Sequence, residues 1–194
     1  MKRVVFFLLE AAVKGRCLRK FFSTRFNHVI VVREGEGYSR YDKKTYYINS
    51  SKLEDYYELF DTIQSETGLP DIIIHGFNFN DRSLFSSQNL DKDLDRGLYS
   101  LINIARAMGR FDTVTKATIC SLTNNIIKIH ETDVINPGKA PGLAAVKVIP
   151  FEYPSLSCLN LDIDVENKNE FIEICDSILV DIALASEHFS VFFI

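Results

Sequence analysis

The chain has 194 residues, 46% of them hydrophobic and 25% charged, enough for one domain with a sizeable core. Lys and Arg number 22 against 26 Asp and Glu, a net charge of −4; this argues against a nucleic-acid partner, which needs clustered cations. No stretch approaches the roughly 20 apolar residues of a membrane span.

In chain order, Met1-Lys2-Arg3 and Val4–Leu9 superficially resemble a secretory leader. The apolar run stops at Glu10, short of the roughly 7–15 residues of a signal core, so it reads as a buried strand. Further strand-like runs are Val29–Arg33, Asp71–His75, Val114–Ser121, Leu156–Asp162 and Phe189–Ile194. Continuous apolar runs of this kind suit parallel strands covered on both faces. Helical spacing lies between them, over Ala11–Phe22, Leu53–Ile63, Leu94–Met108 and Glu170–Ala185. Ser50 or Ser51 is expected to cap the second helix, with Glu54 completing a capping box. Residues 34–49 read as a β-hairpin or extended loop, and Asn124-Asn125 as the turn of a short hairpin. Alternation of strand and helix predicts an α/β, Rossmann-like fold with three layers and a mostly parallel sheet, all within one domain, 1–194.

The cysteines, Cys17, Cys120, Cys158 and Cys175, form no CxxC pair and no metal-ligand spacing with a histidine. Each lies in an apolar setting, so reduced, buried thiols and a cytoplasmic protein are expected.

The chemistry-bearing motifs of such a scaffold are missing. A dinucleotide needs a glycine-rich turn after the first strand, where backbone N–H groups meet the pyrophosphate. Here that junction is Glu10-Ala11-Ala12-Val13-Lys14, with the first glycine at Gly15. A carboxylate there repels phosphate, and no GxGxxG or Walker sequence occurs elsewhere. Short-chain reductases use a tyrosine with a lysine four residues later to lower the phenol pKa, and none of the 8 tyrosines has one. No GxSxG nucleophile elbow is present. His75, followed by Asn78, Asn80 and Asp81, stands at a strand end where α/β folds bind ligands; a hydrogen-bonded strand closure is the simpler reading. His28, His130 and His188 are scattered. Asp91, Asp93 and Asp95 lack the glycine and closing glutamate of a calcium loop and suit a helix start. No metal site is expected.

Residues 135–164, INPGKAPGLAAVKVIPFEYPSLSCLNLDID, resemble the structural subdomain of ketoreductases in modular type I polyketide synthases. The matching positions are Asn136-Pro137, the helix from Gly142, Glu152-Tyr153-Pro154, and a strand ending in Asp162-x-Asp164. VIPFEYPSLSC is closest to bacterial trans-acyltransferase lines or hybrid peptide–polyketide lines. Segments 29–63, 69–79 and 94–109 are similar to the family's second strand and helix, next strand, and following long helix.

The resemblance implies a degenerate short-chain-dehydrogenase-like half, non-catalytic alone and without a cofactor of its own. It implies a C-terminal catalytic half in the same chain, holding NADPH and reducing β-keto intermediates carried on an acyl carrier protein, in antibiotic-type secondary metabolism. The eight motif residues are then structural. Alternatives are a degenerate module beside a methyltransferase, an inactive ketoreductase or a peptide-synthetase reductase, and a self-contained reductase.

Overall fold

The computed structural model describes the backbone of residues 3–8, then residues 20–21, 23–26, 28–79, 85–111, 116–128 and 130–163, with positions 174, 177, 178 and 180. The predicted last strand, Asp164 and most of the first and last predicted helices lie outside these residues. So do Cys17 and Cys175.

Seven strands form one sheet: β1 (Arg3–Leu8), β2 (His28–Glu34), β3 (Ser39–Arg40), β4 (Thr45–Ile48), β5 (Ile72–Gly76), β6 (Ala117–Thr123) and β7 (Leu156–Asp162). Their order is β3-β4-β2-β1-β5-β6-β7. All neighbours are parallel except β3 and β4. Numbered among themselves, the six parallel strands run 3-2-1-4-5-6, the doubly wound order with its switch point between β1 and β5. The polar, aromatic segment 34–49 is indeed a hairpin. Its second arm also pairs in parallel with β2, through Val31 opposite Thr45, a pairing that its hairpin pattern does not announce.

Three described helices cover one face: α1 (Leu53–Glu66), α2 and α3 (Pro141–Glu152). Helix α2 runs continuously through Leu90–Leu94, a π-helical turn at Asp95–Tyr99, and Ser100–Met108. Strand residues alternate between two cores, as a pleated strand covered on both sides requires. Ile73, Ile119 and Cys158 join the core beneath the helices, with Leu59, Phe60, Ile104 and Val146. Ile72, Ile74, Cys120, Leu122 and Leu159 join the opposite core, with Phe79 and Ile178. Cys120 and Cys158 are buried on opposite faces of the sheet. Burial pushes the Cys158 thiol up to about 12.

Two local expectations are corrected. Neither Ser50 nor Ser51 caps α1: its N-cap is Lys52, with no side-chain cap bond. Asn49 takes over the turn, accepting from Ser51 N at 3.0 Å, while Asp55 accepts from Asn49 N at 2.8 Å. No hairpin forms at Asn124-Asn125 among the described residues. Asn125 adopts φ 62°, and the N–H groups of Ile126 and Ile127 turn to the carboxylate of Asp162, at 3.0 and 2.8 Å. A carboxylate on the neighbouring strand thus replaces the cross-strand carbonyls that a hairpin would need.

Candidate functional site

In an open parallel sheet, chemistry belongs at the carboxyl ends of the strands. Here those ends carry two hydrogen-bonded networks.

The first begins at Glu34, the last residue of β2 and the place of a ribose-binding carboxylate in a dinucleotide fold. Arg96, on the π-turn of α2, clamps it. Arg96 Nε donates to both Glu34 oxygens at 3.1 and 2.9 Å, and Nη2 donates to Oε2. Ser50 Oγ donates to Oε1 at 2.9 Å. Burial alone would raise the Glu34 carboxyl; the Arg96 hydrogen bonds and charge outweigh it and hold the group below its ordinary range. The pair ties β2 to the helix that follows β5, past the carboxyl end of β1 between them. The π-turn sets this geometry. It also brings Gly97 against Asn78, so close that a Cβ at 97 would lie 2.1 Å from Asn78 Nδ2.

Beneath the clamp, Tyr56 donates to Ser100 Oγ at 2.7 Å, and Ser100 Oγ lies 2.9 Å from His75 Nε2. Tyr56, His75 and Ser100 are fully buried. Burial pulls the His75 imidazole down to about 3 and pushes the Tyr56 phenol up. A serine beside a histidine has the elements of an activated nucleophile, but with no solvent access this trio is a buried strut. His75 is the strand closure that its position suggested.

The second network lies under β6 and β7. Asn136 Oδ1 accepts from Gly138 N at 3.0 Å, capping the 3₁₀ turn Pro137–Lys139, with Pro137 at the first position where no N–H is needed. Lys139 is buried and donates to Asn124 Oδ1 at 2.7 Å. Burial lowers its ammonium to about 8 against the opposing pull of Asp93 and Asp162. Asp162 accepts from Ile126 N, Ile127 N and, at 3.1 Å, Thr123 Oγ1.

The motif residues therefore divide between the two ends of the sheet. Asn136, Pro137 and Asp162 meet at the carboxyl end. Glu152, Tyr153 and Pro154 lie at the amino end, where Tyr153 O accepts from Leu156 N at 2.8 Å and Pro154 sits inside the turn that starts β7. A Cβ at Gly109 would meet the Tyr153 ring at 2.4 Å. Gly142 marks the crossing of α3 over Gly97. Sequence reasoning missed Glu34, Arg96, Ser100 and Lys139. Only Glu34 had a signal, its place at the end of the second strand. Among the described residues, no group of three or more His, Cys, Asp or Glu is placed to hold a metal, and no helix is long and apolar enough to cross a membrane.

The strand order, reversing at the switch point between β1 and β5, defines a Rossmann-like α/β domain. The chain belongs to the beta-ketoacyl synthase-like, N-terminal family, whose model matches residues 6–181. Among solved structures it is similar to a keto acid-selecting NRPS module described as an adenylation, ketoreductase and pseudo-Asub multidomain structure. The TM-score is 0.78 at 17% identity, over 92% of this chain and 15% of that one. It is similar to an N-terminal ketoreductase from the macrolactin assembly line, with TM-score 0.71 and 22% identity over 94% of this chain and 37% of that one. An oxidoreductase of the short-chain dehydrogenase/reductase family from Brucella ovis matches over the full length of both chains, with TM-score 0.70 and 13% identity. At these identities the likenesses establish the fold. The chain spans well under half of either assembly-line protein. No curated protein matches it.

Proposed function

We propose that residues 1–194 form one non-catalytic unit that packs on and stabilises an NADPH-dependent ketoreductase half of an assembly-line synthase, which reduces carrier-bound β-keto intermediates. The observation that carries this is the Arg96–Glu34 clamp. The carboxylate that would take a ribose hydroxyl has both oxygens held by the chain's own guanidinium and by Ser50. Together with Glu10 at the phosphate turn and the missing YxxxK, the residues present do not fit a dinucleotide. The family match and the ketoreductase-containing neighbours support the setting. NADPH then belongs to the partner half, and the acyl carrier protein to the same module. The likeness to an NRPS module favours one second reading, the same supporting role beside a ketoreductase in a peptide-synthetase line.

NADPH titration and ketone-dependent NADPH oxidation test this, on residues 1–194 and on the same residues joined to their native downstream sequence. The expected result is no saturable binding to the short protein and reduction by the longer one. Saturable NADPH binding by residues 1–194 would falsify the proposal.

A further inference from the structure

We propose that the groove beside the β3–β4 hairpin, at the amino end of β2, docks a carboxylate-rich surface of a protein partner; this goes beyond the function proposed above and does not depend on it. Neighbouring parallel strands are usually joined by a crossover helix. Here β2 and β4 are parallel neighbours, yet the connection between them, residues 35–44, holds only β3. The hairpin therefore stands at the sheet's edge with no crossover helix of its own to cover it. The register sets Val31 opposite Thr45, and Val31 N donates to Lys44 O at 2.7 Å. Lys43 and Lys44 are thus level with the first residues of β2. With His28, Arg40, Glu66 and Thr67 they line a groove of about 500 Å³.

The charges around this groove are unequally used. Glu66 is held by both terminal nitrogens of Arg40, Nη1 donating to Oε1 at 2.6 Å and Nη2 to Oε2 at 2.8 Å. Asp42 is turned back on its own loop, accepting from Lys44 N at 2.7 Å and Thr45 Oγ1 at 3.2 Å. Lys43 and Lys44 are exposed, and among the described residues neither makes an ion pair. Lysines on an edge strand guard against stray pairing, but these two stand in the turn before β4, inward of β3. Three cations and one carboxylate line the groove, a local excess of +2 on a chain whose net charge is −4. Such a patch selects a partner whose facing surface has the opposite sign. Nucleic acid fits less well. A duplex carries a charge about every 1.7 Å of its axis, so it would extend past the groove and meet the exposed Glu54, Glu58 and Asp61 of α1. A second copy of the chain would have to offer those same α1 acids, a head-to-tail contact that builds rings or filaments rather than a closed pair. The occupant is thus a separate acidic protein surface, and a contact this small is weak and reversible.

Fluorescence anisotropy on the intact natural protein tests this, with a labelled glutamate-rich helical peptide of about 15 residues as the probe. A glutamine version of the peptide, inorganic phosphate and a DNA duplex serve as comparisons. Saturable binding of the glutamate peptide, weakening as salt rises, is expected, with none of the glutamine version. Lys43→Glu with Lys44→Glu is expected to weaken binding at least about tenfold, because two attractions become two repulsions, and to bind a lysine-rich peptide in its place. Lys128→Glu, on an exposed loop after β6, leaves binding unchanged. Should the charge reversal disturb folding, Lys43→Gln with Lys44→Gln reads the same contact through a loss of about threefold. Equal binding by the substituted and natural proteins overturns the assignment, as does no binding of the glutamate peptide at low salt. Displacement of the peptide by phosphate or duplex at lower concentration than by the unlabelled peptide would make the patch a phosphate site. Self-association that the double substitution abolishes would give it to a second copy. Either result overturns the choice of partner.

Discussion

Asp162 concentrates three hydrogen bonds on one carboxylate, from Ile126 N, Ile127 N and Thr123 Oγ1. It holds the loop after β6 in place of backbone pairing. Asp162→Ala leaves two backbone donors unmet, at about 1 kcal/mol or more each. Denaturant unfolding is expected to show a loss of roughly 2–3 kcal/mol, with Asp162→Asn losing less. His75 makes a prediction in pH. Its folded value of about 3 lies below the ordinary 6.5, so the unfolded chain binds the extra proton first. The stability it contributes is fully present above pH 6.5 and is lost as pH falls from 6.5 towards 3, with a slope of up to about 1.4 kcal/mol per pH unit. Melting temperatures measured between pH 7 and 5 are expected to fall accordingly, and His75→Gln is expected to flatten that dependence. At this scale the sequence was least legible. Glu34, Arg96 and Ser100 are far apart in the chain, and nothing in local spacing says that they meet. Lysine is almost never buried alone, so the burial of Lys139 had no signal either.

At the scale of elements, α2 and α3 cross where two glycines meet, and the two have different reasons to be there. A Cβ at Gly97 would lie 2.1 Å from Asn78 Nδ2, whereas one at Gly142 would find its nearest atoms at 3.7–3.8 Å, an ordinary contact. Gly97→Ala is therefore expected to cost roughly 1–3 kcal/mol through overpacking. Gly142→Ala is expected to be neutral or to gain up to about 1 kcal/mol from helix propensity. At this chain length the difference appears as a drop of roughly 2–4 °C in melting temperature per kcal/mol. The elements themselves were largely legible. The continuous apolar runs place β2, β5 and β7 within a residue or two, because strands covered on both faces have nothing polar to interrupt them. The N-cap of α1 and the turn after β6 were misread for one shared reason. The donors there are satisfied by Asn49, Asp55 and Asp162 rather than by the serines or by a partner strand.

At the scale of the whole molecule, the proposed function rests on two independent features. The sequence has Glu10 where a dinucleotide fold has a glycine-rich turn, and Arg96 clamps the carboxylate of Glu34 at the end of β2. Removing one leaves the other. Arg96→Ala is accordingly expected to weaken the fold without creating NADPH affinity, as isothermal titration can check; a Kd in the micromolar range for this variant would mean that the clamp alone excludes the cofactor. What the sequence by itself determined is the α/β alternation, the burial of the strands and the lack of a GxGxxG turn and of a YxxxK pair. These depend on local period and on motifs with short, fixed spacing. What only the tertiary structure decided is the order of the strands, the place of β4 between β3 and β2, the pairing of Arg96 with Glu34 and the apolar face left on α2 and α3. Each depends on residues distant in sequence becoming neighbours in space, and on which side of a helix the sheet happens to cover.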